Sequence, residues 1–371
     1  MSSKALIHLD RLDHNLALLA ELAGGRPLWP AIKANAYGHG AELVARHLRG
    51  RGHGTFCVAH AAEAVALLEA GIDARFLVMS AMLPDEATML VAHGLEPAVC
   101  TRPMLEALSR AARDLGREAA VHLKVDTGMG RAGIAPGEVE AFLDLSTKLP
   151  QLRVAGLMSH FPRADEADKD YSLAQLRRFQ ALVAATAGRD IGVAHMANSA
   201  ALFDLPGASF DAARPGISIY GLAPSAEVQN PRVRELKPVL EWKAPITLIK
   251  GVPAGTGLSY GHSYRTTRDS IIATVPVGYG DGLHRNLSNR MQLLVGGRRC
   301  DQVGRITMDQ LLVDVTELGG AVGLGDEVVI VGRQGEQEIG ADELAARLGT
   351  INYEIVTAIT ARVPRQAAGE Y

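Results

Sequence analysis

Short apolar runs alternate with segments of helical periodicity between residues 9 and 216. A helix is predicted behind Asp10 as its N-cap, with leucines at helical spacing from Leu12 to Leu22. Two further clear helical segments are 61–71 and 171–187. Eight apolar runs are predicted to be strands: 27–34, 55–60, 75–80, 96–100, 120–126, 153–160, 192–198 and 211–216.

This alternation predicts an α/β fold, because parallel strands need crossover segments, usually helices, to connect them. Eight strand–helix repeats favour a closed (β/α)8 TIM barrel over the alternative, an open doubly wound sheet. We assign residues 9–233 to this barrel.

The pattern changes after a linker at 230–238, and residues 234–371 are predicted to form a second, mainly β domain. Whether residues 1–8 join that domain is left open. Glycine turns separate its apolar runs, and 341–349 is its only predicted helix. The runs predicted to contain strands are 244–250, 270–279, 290–295, 311–315, 326–332 and 356–363.

Composition narrows the possible partners. The 371 residues carry a net charge of −3, which gives no electrostatic reason to expect binding to nucleic acid or to an acidic membrane. No run approaches the ~20 apolar residues of a membrane span, and the N-terminus lacks the long apolar core of a secretory signal. Cys57, Cys100 and Cys300 are scattered without metal-ligand spacing, so we expect free thiols, no metal site and a cytoplasmic protein.

Barrel enzymes place their active sites at the carboxyl ends of the strands. The polar residues at or just after those ends are Lys33, Asn35, Tyr37, Lys124, Asp126, Arg131, His160, His195, Asn198, Ser199 and Arg214. A buried lysine has a lowered pKa, and its neutral amine can form a Schiff base. Ser199 and the backbone after Gly216 predict an anion site where such barrels bind phosphate.

An amine beside a phosphate site indicates either a Schiff-base aldolase for a phosphorylated sugar or a pyridoxal phosphate enzyme. Single residues leave the choice open. Lys33 alone is more often a surface lysine, His160 alone a hydrogen-bonded core histidine, and Ser199 alone part of a helix cap.

The motifs in combination resemble those of bacterial alanine racemases. The segment "AIKANAYGHG" (31–40) resembles the pyridoxal phosphate attachment motif of that family. Collinear matches follow along nearly the whole chain: "HLKVDTGMGRAG" (122–133), "SHF" (159–161), "ANS" (197–199), "RPGISIYG" (214–221), "LSYGHSY" (258–264), "VPVGYGDG" (275–282), "GRITMDQ" (304–310) and "INYE" (351–354). The resemblance implies a barrel followed by a β domain, and a head-to-tail homodimer with shared active sites.

The resemblance also implies roles for individual residues. Lys33 holds pyridoxal 5'-phosphate and serves the D-enantiomer as base, while Tyr260 of the partner subunit serves the L-enantiomer. Arg214 faces the pyridine nitrogen, and Lys124 carries a carbamate that positions Arg131. The other implied cofactor contacts are Tyr37, His160, Asn198, Ser199, Gly216, Ile217 and Tyr353, and the implied substrate contacts are Arg131, Met308, Asp309 and Tyr279.

A narrow entrance to the site is implied as well. Tyr260 and Tyr353 match its inner layer, and Asp165, Arg285, Arg305 and Ile351 match its middle layer. Thr307 departs from the cysteine common in relatives, next to Met308 in the substrate wall.

The predicted function is therefore that of an alanine racemase, an isomerase that interconverts L-alanine and D-alanine for peptidoglycan or for D-alanine catabolism. The alternatives are a broader racemase that accepts serine, a pyridoxal-dependent aldolase or decarboxylase, and a non-catalytic pyridoxal phosphate-binding protein. The matched Lys124 counts against the broad racemase. Residues 234–371 and Tyr260 count against the binding protein, whose class has a single barrel.

Overall fold

The computed structural model describes residues 3–369, which divide into two compact units. The barrel unit contains residues 13–36 and 41–237. The β unit contains the residues up to 12, residues 37–40, and the residues from 238 onward. The N-terminal segment and residues 37–40 thus belong with the C-terminal part of the chain.

Six parallel strands form the sheet of the barrel unit, each hydrogen-bonded to the next along the chain. Their bounds are Thr55–Val58, Arg75–Val78, Glu96–Val99, Ala119–Lys124, Leu152–Met158 and Val193–His195. Two extended segments close the ring through single parallel bridges, which are Ala31 to Cys57, Leu28 to Ala213 and Ala212 to His195. The predicted fold class is confirmed, although the first and eighth strands are reduced to these bridges.

Proline explains why the two closing segments make only single bridges and do not form longer β-ladders. Pro30 in the first segment and Pro215 after the eighth have no N–H to donate. Neighbouring residues supply the bonds that remain. Trp29 N–H donates to the carbonyl oxygen of Ala213 at 2.8 Å, and Ala31 N–H donates to that of Pro215 at 2.8 Å.

Helices alternate with the strands of the barrel unit, as the sequence predicted. Arg102–Leu115 illustrates how sequence sets their limits, because Pro103 lies in its first turn and Gly116 ends it at a left-handed φ of 62°. None of the described helices is long and apolar enough to cross a bilayer. The helices from the start of the chain through the barrel are Leu9–Leu22, Ala41–Gly50, Ala61–Glu69, Ala87–Ala92, Arg102–Leu115, Val139–Ser146, Asp170–Ala185 and Ser199–Asp204.

The predicted N-cap at Asp10 is wrong. The helix already begins at Leu9, so Asp10 lies in its first turn. A carboxylate there still stabilises the helix through the partial positive charge of the helix N-terminus.

The β unit contains three sheets. The largest has the strand order Arg298–Asp301, Gln292–Val295, Glu327–Gln334, Leu240–Pro245, Lys4–His8 and Arg365–Ala368, with Gln337–Ile339 paired to Glu327–Gln334. The second has the order Leu311–Asp314, Ser270–Val275 and Leu248–Val252. The third pairs Gly257–Leu258 with Tyr264–Arg265.

One predicted strand of this region, 356–363, is wrong. Asn352–Thr357 is a helix, and the chain then turns before the strand Arg365–Ala368. Ile355, Val356 and Ile359 are buried at helical spacing, which explains why an apolar run forms a helix here. The prediction of a single helix in this region is therefore also wrong, since Ala341–Leu348 precedes it.

Candidate functional site

Lys33 opens a turn of unusual backbone conformation. The four residues that follow, 34–37, are not glycines, yet their φ angles all lie between 50° and 54°. A left-handed conformation costs an ordinary residue roughly 1–2 kcal/mol, so this turn needs external support. The turn ends the apolar segment, so the chain leaves the direction of that segment directly after Lys33.

Side-chain acceptors supply that support. One carboxylate oxygen of Glu63 accepts the N–H of Ala34 at 2.6 Å. The other accepts the N–H groups of Ala59 and His60 at 2.8 and 3.1 Å. Glu63 therefore ties the Lys33 turn to the end of the next strand along the chain.

A cavity of about 390 Å³ opens beside the Lys33 side chain. Positive and imidazole groups dominate its polar surface, and none of the described lining residues carries a carboxylate. An anionic ligand is therefore favoured there. The lining residues are Lys33, Ala59, Met79, Ser80, Ala81, Lys124, Arg131, Ala132, Met158 and His160.

Burial in this cationic setting makes both lysines weaker bases. The pKa of Lys33 is lowered by burial and then by the charge of Arg131, while the carboxylate of Glu63 acts in the opposite direction. Burial, followed by the charges of Arg131 and Arg214, lowers the pKa of Lys124 to about 8. Lys124 also donates to the carbonyl oxygen of Met79 at 3.2 Å. Neutral amine is thus more accessible near physiological pH than in a free lysine.

Arg214 is buried inside the barrel unit, and one of its N–H donors has no acceptor among the described residues. Its Nη1 contacts His195 Nδ1, and its Nη2 donates to the carbonyl oxygens of Ser159 at 2.7 Å and Met196 at 3.3 Å. The buried Nε–H has no acceptor among the described residues. Burial lowers the pKa of Arg214 to about 10, so it stays protonated at neutral pH. A ligand atom that accepts a hydrogen bond would satisfy Nε.

His160 is the imidazole nearest this guanidinium on the cavity side, with its Nδ1 3.5 Å from Arg214 Nη2. Burial and then the charge of Arg214 lower the pKa of His160 well below its ordinary value. His160 is therefore neutral at physiological pH and can accept as well as donate.

Ser199 links the start of the helix Ser199–Asp204 to the chain just after the second closing segment. Its Oγ accepts the N–H of Gly216 at 2.9 Å and that of Ser218 at 3.3 Å. Asn198 precedes it as the helix N-cap and accepts the N–H of Ala201 at 3.0 Å. Ile217 follows Gly216 and is buried. Ser199, Gly216 and Ile217, which the resemblance implies as phosphate contacts, therefore lie next to one another.

The remaining predicted site residues lie in the β unit. Tyr260 is 70% exposed and lines a cavity of about 1150 Å³ together with Arg305, Thr307 and Asp309. Met308 is 51% exposed. Tyr279 is also exposed, and Tyr37 lies with its ring centroid 6.1 Å from that of Tyr353.

Backbone bonds hold the substrate-wall residues predicted in the β unit. Tyr279 N–H donates to the carbonyl oxygen of Thr307 at 3.0 Å, and Gly280 N–H donates to that of Met308 at 2.8 Å. Arg362 donates to Asp309 at 2.8 Å and lies 3.3 Å from Asp281. Of the predicted entrance residues, Arg305 lines the cavity and Ile351 is exposed, while Asp165 belongs to the barrel unit.

Sequence reasoning missed Glu63, which supports the Lys33 turn, and it missed Glu96 and His122, which form a hydrogen bond inside the barrel unit. His122 and Lys124 are two residues apart on one strand, so they share a face, and this was a usable signal. Glu63 and Glu96 gave no comparable signal, because their partners lie on other elements.

Comparisons with known proteins agree along the whole chain. Residues 7–224 match the family model described as alanine racemase, N-terminal domain, and residues 239–367 match alanine racemase, C-terminal domain. The alanine racemase of Halothermothrix orenii is 44% identical over 365 residues, covering 98% of this chain and 96% of that protein. The alanine racemase of Symbiobacterium thermophilum is 43% identical over 368 residues, covering 99% and 97%.

Solved structures give the same picture. The alanine racemase from D-cycloserine-producing Streptomyces lavendulae has a TM-score of 0.92 at 37% identity, covering 100% of this chain and 98% of that one. That from Bacillus anthracis with bound L-Ala-P has a TM-score of 0.92 at 34% identity, covering 99% and 95%.

Proposed function

The chain belongs to the alanine racemase family and is an amino-acid racemase, and we propose that it interconverts L-alanine and D-alanine with pyridoxal 5'-phosphate as cofactor. The observation that carries the choice of cofactor is the unsatisfied Nε–H of Arg214. It is a buried donor inside the barrel unit, and the pyridine nitrogen of this cofactor is an acceptor. Many enzymes of this chemistry place a carboxylate at that nitrogen, whereas an arginine donates without protonating it.

The other residues of the barrel unit fit the remaining parts of the cofactor. Lys33 supplies an amine with a lowered pKa for the aldehyde. Ser199, Gly216 and Ile217 supply a hydroxyl and backbone for the phosphate, and Asn198 precedes Ser199 as the helix N-cap. His160 lines the cavity beside Lys33. The contacts implied for Tyr37 and Tyr353 remain proposals from the resemblance. When bound, the cofactor withdraws electrons and so acidifies the Cα–H of the attached amino acid.

Racemization needs two acid–base groups on opposite sides of the Cα atom. We assign Lys33 to the proton of D-alanine and Tyr260 of a second subunit to that of L-alanine. A positioned Tyr260 phenol can hold or release a proton at its hydroxyl oxygen. The neutral form of Lys33 favoured by burial is the form that can accept one.

The shared site requires a homodimer, which we propose to be head-to-tail. Tyr260, Tyr279, Met308 and Ile351 all expose large apolar surface in the single chain. Backbone hydrogen bonds hold the segments of Tyr279 and Met308 side by side, and adjoining exposed apolar side chains are typical of an interaction surface. Sedimentation of the purified protein, with Tyr260→Arg as a variant, tests the pairing, since a buried new charge weakens a dimer.

We propose that Arg131 binds the substrate carboxylate and that Met308, Asp309 and Tyr279 narrow the substrate wall. Lys124 is proposed to carry a carbamate, formed when its neutral amine adds carbon dioxide and releases a proton. The lowered pKa of Lys124 favours that reaction. Intact mass measured at neutral pH in bicarbonate would show the added carbon dioxide, and an unmodified mass in the intact holoenzyme would contradict the assignment.

We propose a cytoplasmic enzyme that supplies D-alanine for peptidoglycan or consumes it in catabolism. The three unpaired cysteines Cys57, Cys100 and Cys300 are compatible with a reducing compartment. Growth of a deletion strain with and without D-alanine separates the two roles.

The test of the activity is Cα proton exchange in D₂O. Wild type should exchange and racemize both enantiomers of alanine, whereas Tyr260→Phe should exchange the proton of D-alanine and lose racemization. Bound cofactor without turnover in the wild type would favour a binding protein instead. Comparable turnover of serine would favour the broader racemase. Racemization by Tyr260→Phe at the wild-type rate would refute the assigned second base.

A further inference from the structure

A line of buried hydrogen bonds ends at Arg214. It begins at Glu96, whose Oε2 lies 3.0 Å from His122 Nε2. His122 Nδ1 lies 2.9 Å from His195 Nε2, and His195 Nδ1 contacts Arg214 Nη1. Both imidazoles have no exposed surface. Glu96, His122, His195 and Arg214 are called the relay below.

The two ends of the relay fix the position of every proton between them. A carboxylate can only accept and a guanidinium can only donate. His122 must therefore donate from Nε2 to Glu96, which leaves its Nδ1 as an acceptor for His195 Nε2–H. His195 then has a bare Nδ1, which accepts from Arg214. Both histidines are neutral and protonated at Nε2.

Charges at the far end keep Glu96 ionised. Arg75 donates to both of its oxygens at 2.8 Å. Burial alone would raise the pKa of Glu96, but the hydrogen bonds from His122 and Arg75 outweigh burial and lower it to about 2. Burial lowers the pKa of His122, and it lowers that of His195 well below the ordinary value. Burial thus disfavours the doubly protonated, charged form of both imidazole rings.

Packing fixes the ring positions as well. Trp29 lies edge-on to both imidazoles, with centroid separations of 5.9 Å to His122 and 4.8 Å to His195. Gly156 on the neighbouring strand leaves space for His122, since a Cβ there would lie 2.3 Å from its Nδ1. The rings cannot turn over without displacing these neighbours.

We propose that Glu96 and His122 are positioning residues that, through His195, hold Arg214 with its free Nε–H directed at the cofactor. This inference rests on the proposed function, because it takes the cofactor's ring nitrogen as the acceptor for Nε. If His122 took its proton on Nδ1, His195 would have to present an N–H to the Nη1–H of Arg214. Two donors would then face each other, and the guanidinium would leave its place.

The first test measures the protonation of the relay histidines and does not depend on catalytic turnover. Side-chain ¹⁵N spectra of wild type labelled at histidine, recorded with and without cofactor, should show His122 and His195 protonated at Nε2 only. That state should persist from about pH 5 to about pH 8, the range over which an ordinary histidine changes its charge. A proton on Nδ1 of either ring, or a second proton in this range, overturns the proposal. Spectra of the substituted proteins assign the signals.

The second test perturbs the relay and compares it with a neighbouring core change. His122→Leu and Glu96→Met each remove the hydrogen-bonding groups of a relay residue and keep a side chain of similar volume. Val121→Ala is the control, because it removes buried apolar atoms from the strand that carries His122. In the first two variants, kcat should fall on the order of 10- to 100-fold, as for other groups that orient a site residue. The KM for alanine should stay within about threefold, because its carboxylate site is elsewhere. Val121→Ala should keep the wild-type kcat.

Glu96→Gln provides a conservative variant, since its amide oxygen can still accept from His122, and its kcat should lie between wild type and Glu96→Met. The proposal is overturned if Glu96→Met and His122→Leu fold as well as Val121→Ala and keep both the wild-type kcat and a single His195 tautomer. If His122→Leu does not fold, the wild-type spectra still decide. Absence of racemization in wild type with the predicted tautomers would count against the proposed function alone.

Discussion

Glu63 is expected to be the main external support of the Lys33 turn. In Glu63→Gln, one amide oxygen must replace two carboxylate oxygens that accept three backbone N–H groups. Hydrogen bonds to a charged group contribute about 1.5–3 kcal/mol each, and water recovers part of this at the exposed Ala34 N–H. We therefore expect a loss of about 1–2 kcal/mol in the free energy of unfolding. If a similar free energy is lost from the placement of Lys33 in the transition state, kcat should fall roughly tenfold, because about 1.36 kcal/mol of activation free energy corresponds to a factor of ten in rate.

Urea unfolding and steady-state racemization measure the two effects, with Glu69→Gln on the same helix as the matched control. Glu69 is exposed, so its variant should resemble wild type in both assays. The carboxylate of Glu63 also raises the pKa of Lys33, so its removal should lower that pKa further. Cofactor attachment, which needs the neutral amine, should then reach its half-maximal rate at a lower pH. The reasoning fails if Glu63→Gln matches Glu69→Gln in stability, kcat and this pH profile.

Three further predictions concern charged side chains. In carbon dioxide-free, cofactor-free protein, Lys124→Met should melt above wild type, with the largest gap below pH 8 and a narrowing gap as pH rises from about 8 to 10.5. The sign follows because the folded state binds fewer protons than the unfolded state in that window. Arg131→Met should raise the KM for alanine on the order of 10- to 100-fold while cofactor binding is retained, which steady-state kinetics and absorbance titration would check. Arg362→Met should raise the KM, because Arg362 holds the exposed Asp309, and it should also lower the melting temperature, because the buried carboxylate of Asp281 loses its charged partner.

Hydrophobic patterning was sufficient to predict the strand–helix alternation of the barrel unit and most of its strands. Runs such as 55–60 and 75–80 became strands because their interiors are buried. The first run, 27–34, formed only bridges because Pro30 interrupts its donors. The run at 356–363 was predicted to be a strand because periodicity alone separates helix from strand poorly over so few apolar residues.

The sequence could predict which residues come together where a local motif carries their chemistry. Lys33, Lys124, Arg131 and His160 indeed line one cavity. The relay was not predictable, because its members come from four different parts of the chain and join only when the sheet fixes their neighbours. The pattern of residues along the sequence does not indicate which carboxylate forms a hydrogen bond with which histidine.

The close approach at Gly156 limits how this barrel can diverge. A side chain there would also meet the carbonyl oxygen of Val193 at 2.8 Å, so even alanine would have to displace backbone as well as His122. Mutational libraries of this enzyme should therefore contain no active clones substituted at this position alone. Exchanging His122 for a smaller residue should not restore activity by itself, because the backbone carbonyl of Val193 would still obstruct a side chain at position 156.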